Sequence, residues 1–376
     1  MKKMLALTLA LALLLCGCGA SKAPETQPST APAATQAPTT EPTTEPTTEP
    51  TTAPTEPQVY RNPLNGEILD APFTGRIFAN TVSNMQENLP HVGVIHADVL
   101  VETFVNKNNI IRCLALFSDI SSVEAIGSTR STRPIFNQLA QHYDLILSHA
   151  GGSEQALNDA ANRGVENFNI DAWEVASQGT SYRDTEYNRT YENTLFGVGS
   201  GIKAYAEAQG YPMSLERSYG LTFTEDGTPA NGEDAGKISL TFTYGEAKKE
   251  TIMTYDAQAD KYVYNQYGQV MTDQITGETE MFTNVLIMNA NITTDGIYFV
   301  ADFNAGGTGY YANGGKIIPI NWTCAGDKEP FVFTTQDGTP LDVGVGNTYI
   351  GICTPESPVV YEAASPVAAE TQAVEG

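Results

Sequence analysis

One long stretch of this sequence cannot fold, and it fixes where a globular structure has to lie. From Ser21 to about Gln58 the chain contains almost only Thr, Pro, Glu, Ala and Gln, with TTEP repeated. Such a composition buries too little apolar surface to offset the entropy lost on folding. Residues 19–58 are therefore predicted to be a disordered tether, and folded structure is confined to about 59–355. The acidic, alanine-rich end, 356–376, is predicted to be a second disordered tail.

The N-terminus carries an export signal. Two lysines precede an apolar run from Met4 to Leu15, which is too short for a permanent transmembrane helix and is typical of a signal peptide. The run ends in a sequence similar to a bacterial lipobox, which has a small residue before the cysteine that accepts the lipid. Cys18 follows Gly17 and is the predicted acceptor, whereas Cys16 follows Leu15. Residues 1–18 thus predict a lipoprotein signal peptide and lipobox; secretion without a lipid is the alternative.

A lipid on Cys18 would hold the protein on the outer face of the bacterial cytoplasmic membrane. The formal net charge of −24 argues against nucleic-acid binding, which requires a basic surface. Three cysteines remain in the predicted mature body, and their spacing leaves open a disulfide between Cys324 and Cys353. His91 and His96 lack a matching third ligand, so no metal site is predicted, and no cofactor is implied.

The body changes in character near residue 220. Between 59 and 220 short β-like runs alternate with helical patterns, and a turn at 106–109 joins two of the runs into a predicted hairpin. After 221 the chain consists of short Tyr-, Phe-, Thr- and Val-rich runs separated by Gly and Asp. This pattern predicts an α+β fold, with a mixed α/β N-terminal domain, 59–220, followed by a mainly β C-terminal domain, 221–355.

The predicted elements can be given by their sequences. In the N-terminal region the strands are RIFANTVSN, ADVLVETFV, NIIRCLALFSD and YDLILSHA, and the helices are RPIFNQLAQHY, SEQALNDAANR and SGIKAYAEAQG. Pro134 suits a first helical turn, and Ser153 suits an N-cap. In the C-terminal region the strands are GKISLTFTY, TIMTYDA, YVYNQYG, NVLIMNAN, GIYFVADF, KIIPINW, PFVFTT and NTYIGIC.

Arginine and histidine are unevenly distributed. Every one of these residues lies between Arg61 and Arg217, in the predicted N-terminal domain. Arginine binds carboxylates and phosphates with two parallel hydrogen bonds, and histidine titrates near neutral pH. The first domain therefore contains the side chains that a polar functional site requires.

The densest group of such residues lies in GSTRSTRPIFNQLAQHYDLILSHAGGSEQAL. Arg130 and Arg133 lie in the loop that enters a predicted helix, where the helix dipole favours an anion. His149 ends a predicted strand just before Gly151 and Gly152 and the next helix, the end of a strand at which α/β sheets usually bind ligands. We expect these two segments to converge on one anion. The alternative for the arginines is a surface ion pair with Asp98 or Glu102.

Several segments together resemble the YerB-like lipoproteins, a family with a domain of unknown function. They are LPHVGVIHADVLVE, GSTRSTRP, LAQHYDLILSHAGGS, YRDTEYNRTYENT, NVLIMNANITTDG, GGTGYYANGGKIIPINW and DGTPLDVGVGNTYIGI. The resemblance implies an exported, usually acylated, two-domain protein. Its pattern falls on Asp98, Glu102, Gly127, Arg130, Ser131, Arg133, Pro134, His149, Gly151, Gly152, Arg183, Asp184 and Asn193. Ser128 and Glu192 depart from it, because proline and histidine are expected there, and the second departure weakens a two-histidine mechanism.

Three functional hypotheses follow. The favoured one is a membrane-anchored lipoprotein that binds an anionic or polar cell-envelope component, such as a wall glycan or anionic polymer, through an Arg/His site. The second is an envelope-polymer hydrolase or transferase with His149 and either Glu102 or Asp98 as acid and base. The third is a protein-interaction scaffold that binds through the β domain. The predicted ligand-binding residues are Arg130, Ser131, Arg133, Gly151, Gly152, Arg183, Arg189 and Asn193.

Overall fold

A computed structural model describes residues 59–186, 189–214 and 217–364, all of which belong to one compact unit, Pro57–Gly376. The predicted signal peptide, Cys18 and the tether lie outside the described residues. The strands of the N-terminal region are β1 Tyr60–Arg61, β2 Ile68–Leu69, β3 Phe78–Ser83, β4 Val99–Phe104, β5 Ile111–Phe117, β6 Ile126–Gly127, β7 Ile146–His149, β8 Asn167–Asn169, β9 Ser181–Arg183 and β10 Leu195–Gly197.

Four α-helices are described, and all lie in the same region: α1 Pro134–Tyr143, α2 Glu154–Arg163, α3 Trp173–Val175 and α4 Gly199–Ala208. Pro134 occupies the first turn of α1, as predicted. Ser153 caps α2, because its side chain accepts a hydrogen bond from the Ala156 N–H at 3.2 Å. Among the described residues, no helix combines the length and apolar character needed to cross a membrane.

Strands dominate the C-terminal region. They are β11 Thr222–Thr224, β12 Glu233–Asp234, β13 Lys237–Tyr244, β14 Ala247–Asp256, β15 Lys261–Gln266, β16 Gln269–Val270, β17 Met281–Phe282, β18 Asn284–Asn289, β19 Asn291–Asp295, β20 Tyr298–Asp302, β21 Gly307–Asn313, β22 Lys316–Cys324, β23 Phe331–Thr335, β24 Asp342–Gly344, β25 Thr348–Cys353 and β26 Val359–Glu362. The structure thus has the predicted mixed N-terminal region and strand-rich C-terminal region.

The hairpin predicted at 106–109 is confirmed. Strands β4 and β5 pair antiparallel, with Val101 opposite Leu114. The Asn106 side chain accepts the backbone N–H groups of Asn108 and Ile110 at 3.0 and 3.3 Å. Asn109 has φ 58, in the left-handed region that asparagine tolerates better than most residues. Local side-chain chemistry therefore sets this turn.

An 11-stranded sheet runs through both regions of the chain. Its order is β12-β22-β21-β18-β25-β4-β5-β3-β7-β8, with β23 also pairing with β22. The two regions meet where β25 pairs parallel with β4, with Ile350 opposite Val101. A second sheet of six strands, β16-β15-β14-β13-β26 with β17 on β15, belongs to the C-terminal region.

The two faces of the large sheet bury separate cores. On one face α1 packs over β4, β5 and β7, and the same core continues to Trp322 and Phe331 of the C-terminal region. On the other face the core extends from Ile202 and Ala206 of α4 to Leu240 and Phe242 of the second sheet. The predicted domain boundary near 220 stays a prediction, because each of these cores contains residues from both sides of it.

Two expectations are corrected. Val359–Glu362 forms β26 and pairs with β13, so the predicted tail of 356–376 contains a strand; residues 365–376 lie outside the described residues. Cys324 and Cys353 are free thiols, so the disulfide that the sequence left open does not form. Cys324 Sγ instead lies 3.2 Å from the Gly326 carbonyl, and Cys353 Sγ lies 3.3 Å from Asn289 Oδ1.

The continuous sheet predicts that the two regions unfold together. Leu114→Ala in β5 removes a fully buried side chain and should cost about 2–5 kcal/mol. Trp322 in β22 is 1% exposed, and its fluorescence reports on the distant end of the sheet. Trp173 is 82% exposed, and Trp173→Phe removes its contribution to the fluorescence signal. We expect the urea transition of Trp322 fluorescence to shift as far as the far-UV circular dichroism transition. A Trp322 transition that Leu114→Ala leaves in place would instead show two independent domains.

Candidate functional site

The chain between β6 and α1 brings the two predicted site segments together through backbone hydrogen bonds. The Arg130 N–H donates to the Thr81 carbonyl on β3 at 2.9 Å. The Ala150 N–H, directly after β7, donates to the Arg130 carbonyl at 3.0 Å, and the Thr132 N–H donates to the Gly151 carbonyl at 3.0 Å. Residues 130–133 and 149–152 are therefore neighbours at the carboxyl end of β7, while their convergence on one anion stays a prediction. The N-termini of α1 and α2 follow immediately after these segments.

A third arginine, which the sequence prediction missed, lies under this loop. Arg112 projects from β5 on the face that carries α1. Leu114, two residues further along the strand, points to the same face and belongs to that core. It is 3% exposed, and its Nη1 donates to the Ser131 carbonyl. Burial, followed by the nearby charges of Arg133 and Arg130, holds the pKa of Arg112 well below its ordinary value.

The two predicted arginines have weak partners. Arg130 Nη1 donates to the backbone carbonyl of Glu192. Arg133 Nη1 donates to the Thr132 carbonyl at 2.6 Å, and its guanidinium lies 5.0 Å from the centre of the Tyr298 ring. The Nε atom of Arg133 is buried and has no hydrogen-bond partner in the part of the chain that the structure describes. Burial is the main cause that lowers the pKa of both arginines.

No carboxylate of the described residues forms an ion pair with any of these three arginines, which we call the arginine cluster (Arg112, Arg130 and Arg133). Glu192 and Glu87 act on Arg130 from a longer distance. By contrast, Arg61, Arg76, Arg163 and Arg183 each pair with a carboxylate. Several positive charges in a partly buried place repel one another, and this repulsion is relieved when an anion binds. The N-termini of α1 and α2 add to the positive potential there.

His149 belongs to this segment, but its ring is engaged with another residue. Its Nε2 lies 3.0 Å from Asn167 Oδ1, and the residue is 1% exposed. Burial lowers its pKa, and the Asn167 side chain and Gly151 backbone partly oppose this effect. The structure thus joins the two residues after His149 to the arginine loop, while the role of His149 as a proton carrier stays a prediction.

Local backbone geometry explains why the two residues after Ala150, which follows β7, are glycines. Gly151 has φ +65, where other residues are strained, and its N–H donates to Asn169 Oδ1 at 2.8 Å. A Cβ on Gly152 would lie 3.0 Å from the Leu157 side chain. Both glycines therefore shape the turn between β7 and α2.

The remaining predicted ligand-binding residues lie beside the cluster and have their own partners. Arg183 pairs with Asp171 at 2.7 Å and lies 4.0 Å from the Tyr191 ring centre, yet its charge still lowers the pKa of Arg130. Asn193 Nδ2 donates to Thr190 Oγ1 at 2.7 Å. These contacts give both residues a role in holding the loop around 190.

Arg189 reaches toward the C-terminal region. Its Nη2 donates to the Pro90 carbonyl at 2.7 Å and to the Gln274 side chain. Arg189 therefore contributes to the contact between the two regions of the chain.

The two predicted acid/base carboxylates do not meet His149. Asp98 lies at the start of β4, the opposite end of the sheet from His149, and accepts hydrogen bonds from Asn65 at 2.6 Å and from Ser118 at 2.7 Å. Burial raises its pKa. Glu102 lies on the same face of β4 as Leu100 and Phe104, two residues away on either side, and this face points away from α1. The prediction that either carboxylate shares a cleft with His149 is thereby corrected. Asp98 lies at the other end of the sheet from His149, and Glu102 points to the opposite face of the sheet from the arginine loop.

The C-terminal region contains an open groove of about 690 Å³. It lies beside β22 and carries apolar side chains such as Ile318 and Leu341 together with Asp226, Asp337 and Asp342. The arginine cluster is not part of this groove.

Comparison with known proteins places this architecture in a family. Residues 64–212 match the family "Protein of unknown function (DUF3048) N-terminal domain", and residues 240–350 match the corresponding C-terminal domain. The chain belongs to this two-domain family.

A particular relative is "Putative lipoprotein YerB" of Bacillus subtilis (strain 168), which is 26% identical over 306 residues, covering 77% of this chain and 88% of the relative. The crystal structure of the YerB protein from Bacillus subtilis aligns with a TM-score of 0.67 at 23% identity, covering 80% of this chain and 99% of that chain. The fold described above is therefore also that of YerB.

The buried histidines predict a pH dependence of stability. The folded-state pKa values of His149 and His142 lie below the ordinary 6.5 because of burial. The unfolded chain therefore binds more protons, and stability falls as pH decreases through about 6.5. We expect His149→Gln to make the decline of the urea midpoint between pH 7 and pH 5 shallower. His96→Gln, at an exposed position, should leave that decline unchanged; an unaltered slope in His149→Gln would contradict the prediction.

Proposed function

We propose that this protein is a lipid-anchored extracytoplasmic lipoprotein that binds an anionic component of the cell envelope through the arginine cluster. One observation carries the proposal: Arg112, Arg130 and Arg133 lie close enough to repel one another, and none has a carboxylate partner among the described residues.

The energetic argument concerns burial of like charges. Burial removes water from the guanidinium groups, the charges of Arg133 and Arg130 lower the pKa of Arg112, and the charge of Arg130 lowers the pKa of Arg133. A bound phosphate or carboxylate supplies the missing countercharge and accepts paired N–H donors from arginine. Arg133 Nε is a buried donor that lacks a hydrogen-bond partner among the described residues. A polymer that repeats phosphate or carboxylate groups, as anionic wall polymers do, fits this chemistry.

A lipid anchor would place the arginine cluster at the cell envelope, where such a ligand is found. Residues 1–18 have the features of a lipoprotein signal, and the relative YerB carries a lipoprotein name. Cys18 is the acceptor that the sequence favours, and the 19–58 tether gives the body reach from the membrane surface.

The anion-binding proposal is tested by binding to purified wall polymers that carry phosphate or carboxylate groups. The double variant Arg130→Gln/Arg133→Gln should weaken saturable binding at least about tenfold, since charge-assisted hydrogen bonds contribute about 1.5–3 kcal/mol each. Binding to the wild-type protein should also weaken with added salt. Isothermal titration calorimetry measures both effects.

The matched control is Arg61→Gln, which removes one positive charge from an ion pair with Glu225 outside the cluster. It should leave the affinity within about twofold of wild type, a free-energy change of about 0.4 kcal/mol. Equal losses in the control and the double variant would show a response to net charge alone and would reject the cluster as the site.

The lipid anchor has its own test. Cys18→Ser should release the protein from the membrane fraction into the medium or periplasm, because the acyl chains provide the membrane affinity. Cys16→Ser, two residues away, should leave it membrane-bound. Metabolic labelling with a fatty acid, followed by fractionation, measures both; label retained in Cys18→Ser would assign the acceptor elsewhere.

A second candidate function is binding through the C-terminal groove, and the groove volume of about 690 Å³ favours it. Ile318→Asp places a charge among the apolar residues of this groove. Wall-polymer binding that survives Arg130→Gln/Arg133→Gln but is lost in Ile318→Asp would move the function to the C-terminal region.

A further inference from the structure

A second polar cluster lies on the opposite face of the large sheet, between it and the six-stranded sheet. Its centre is Glu102 of β4, which is fully buried. Glu102 Oε1 accepts hydrogen bonds from Asn84 Nδ2 at 2.7 Å and from Lys249 Nζ. Oε2 accepts three hydroxyl groups, those of Thr251 and Tyr264 at 2.9 Å and of Tyr349 at 2.6 Å. One carboxylate oxygen thus bridges a lysine amine and an asparagine amide.

The orientation of the Asn84 amide follows from its neighbours. A carboxylate only accepts hydrogen bonds, so the atom that faces Glu102 is the NH₂ group. The carbonyl oxygen on the other side accepts from Gln266 Nε2 at 2.6 Å and lies 3.1 Å from His91 Nε2. His91 Nδ1 lies 3.0 Å from Glu280. Both ring nitrogens of His91 therefore face oxygen atoms, Asn84 Oδ1 on one side and the Glu280 carboxylate on the other.

These contacts polarise the Asn84 amide. Its oxygen faces Gln266 Nε2 and His91 Nε2, and donors placed there stabilise negative charge developing on that oxygen. Such stabilisation makes the amide carbon more open to attack by a nucleophile. Asn84 itself is fully buried, so water does not compete for this position.

Lys249 carries a buried amine that donates to the same carboxylate oxygen as Asn84. Its side chain is 5% exposed, and Nζ lies 5.5 to 5.8 Å from the ring centres of Phe242, Tyr264 and Tyr267. Burial lowers the pKa of Lys249, and the charge of Glu102 opposes this effect. Because Lys249 and Asn84 donate to the same oxygen, their two nitrogen atoms lie within about 5 Å of each other.

We propose that Lys249 and Asn84 form an intramolecular isopeptide bond, with Glu102 as the proton carrier. Lys249 first gives a proton to Glu102, and its neutral Nζ attacks Asn84 Cγ. The bond Nζ–Cγ forms, and the oxyanion is held by His91 and Gln266. Glu102 passes its proton to Nδ2, the bond Cγ–Nδ2 breaks, and the departing ammonia takes the last surplus proton from Nζ and leaves as ammonium.

The atoms balance without an external reagent. A protonated amine and a carboxamide become a secondary amide and ammonium, Glu102 ends as the carboxylate, and no electrons are transferred. The new bond joins the residue that follows β3 to β14. It closes residues 84–249 into a covalent ring and ties together the two regions matched by the family models.

Tandem mass spectrometry of a tryptic digest of the full-length purified protein tests the proposal. The expected product is a branched peptide that contains both Asn84 and Lys249 and weighs one ammonia less than its two linear parts. Asn84 and Lys249 recovered only in separate linear peptides from folded protein would overturn the proposal. Loss of ammonia from the Asn84 peptide without a branch would overturn it as well.

Two variants and a matched control define the roles. Glu102→Gln keeps the shape of the side chain but cannot carry the proton, and Lys249→Met removes the amine; both should yield only linear peptides. Lys248→Met, at the exposed neighbouring position, should retain the branched peptide. A branched peptide in Glu102→Gln would overturn the role of Glu102. If a variant fails to fold, the wild-type peptide map still decides whether the bond exists.

Discussion

The parallel pairing of β4 with β25 is the interaction on which the rest of the structure depends. Strand β4 is buried along its whole length and takes β5 from the N-terminal region as its other neighbour. Without β25 it would leave an open, apolar sheet edge. Because this pairing makes one sheet from two regions of sequence, both polar clusters are built on a shared frame.

The two faces of that frame carry different chemistry. On the helix side, Arg112 lies beneath a loop that bears two further arginines, and helix N-termini add to the positive potential. On the other side, Glu102 is enclosed by donors from both sheets and is 0% exposed. An exchangeable envelope ligand suits the first arrangement, whereas a permanent internal bond suits the second. Strand alternation keeps the two separate within a single layer of backbone.

Much of the fold could be predicted because its signals are local. Apolar periodicity located the main strands, Pro134 and Ser153 marked the starts of α1 and α2, and the polar run at 106–109 marked the hairpin. The tail was predicted to start too early in the chain because β26 is a short strand whose pairing partner, β13, is distant in the sequence. Arg112 carried one available signal that was not used, a charged residue inside an otherwise apolar strand.

The sequence by itself determined the element types and the family resemblance, and it predicted an export signal and the neighbouring placement of Arg130, Arg133 and the end of β7. These depend on composition and on contacts between residues close in the chain. Only the tertiary structure decided that Arg112 joins the arginines, that Asp98 and Glu102 lie away from His149, and that Lys249 meets Glu102 across 147 positions. The reason is that such contacts arise from strand pairing and sheet packing between segments that are distant in the sequence. Their free energy comes from the packing of whole cores, so no local sequence pattern indicates them.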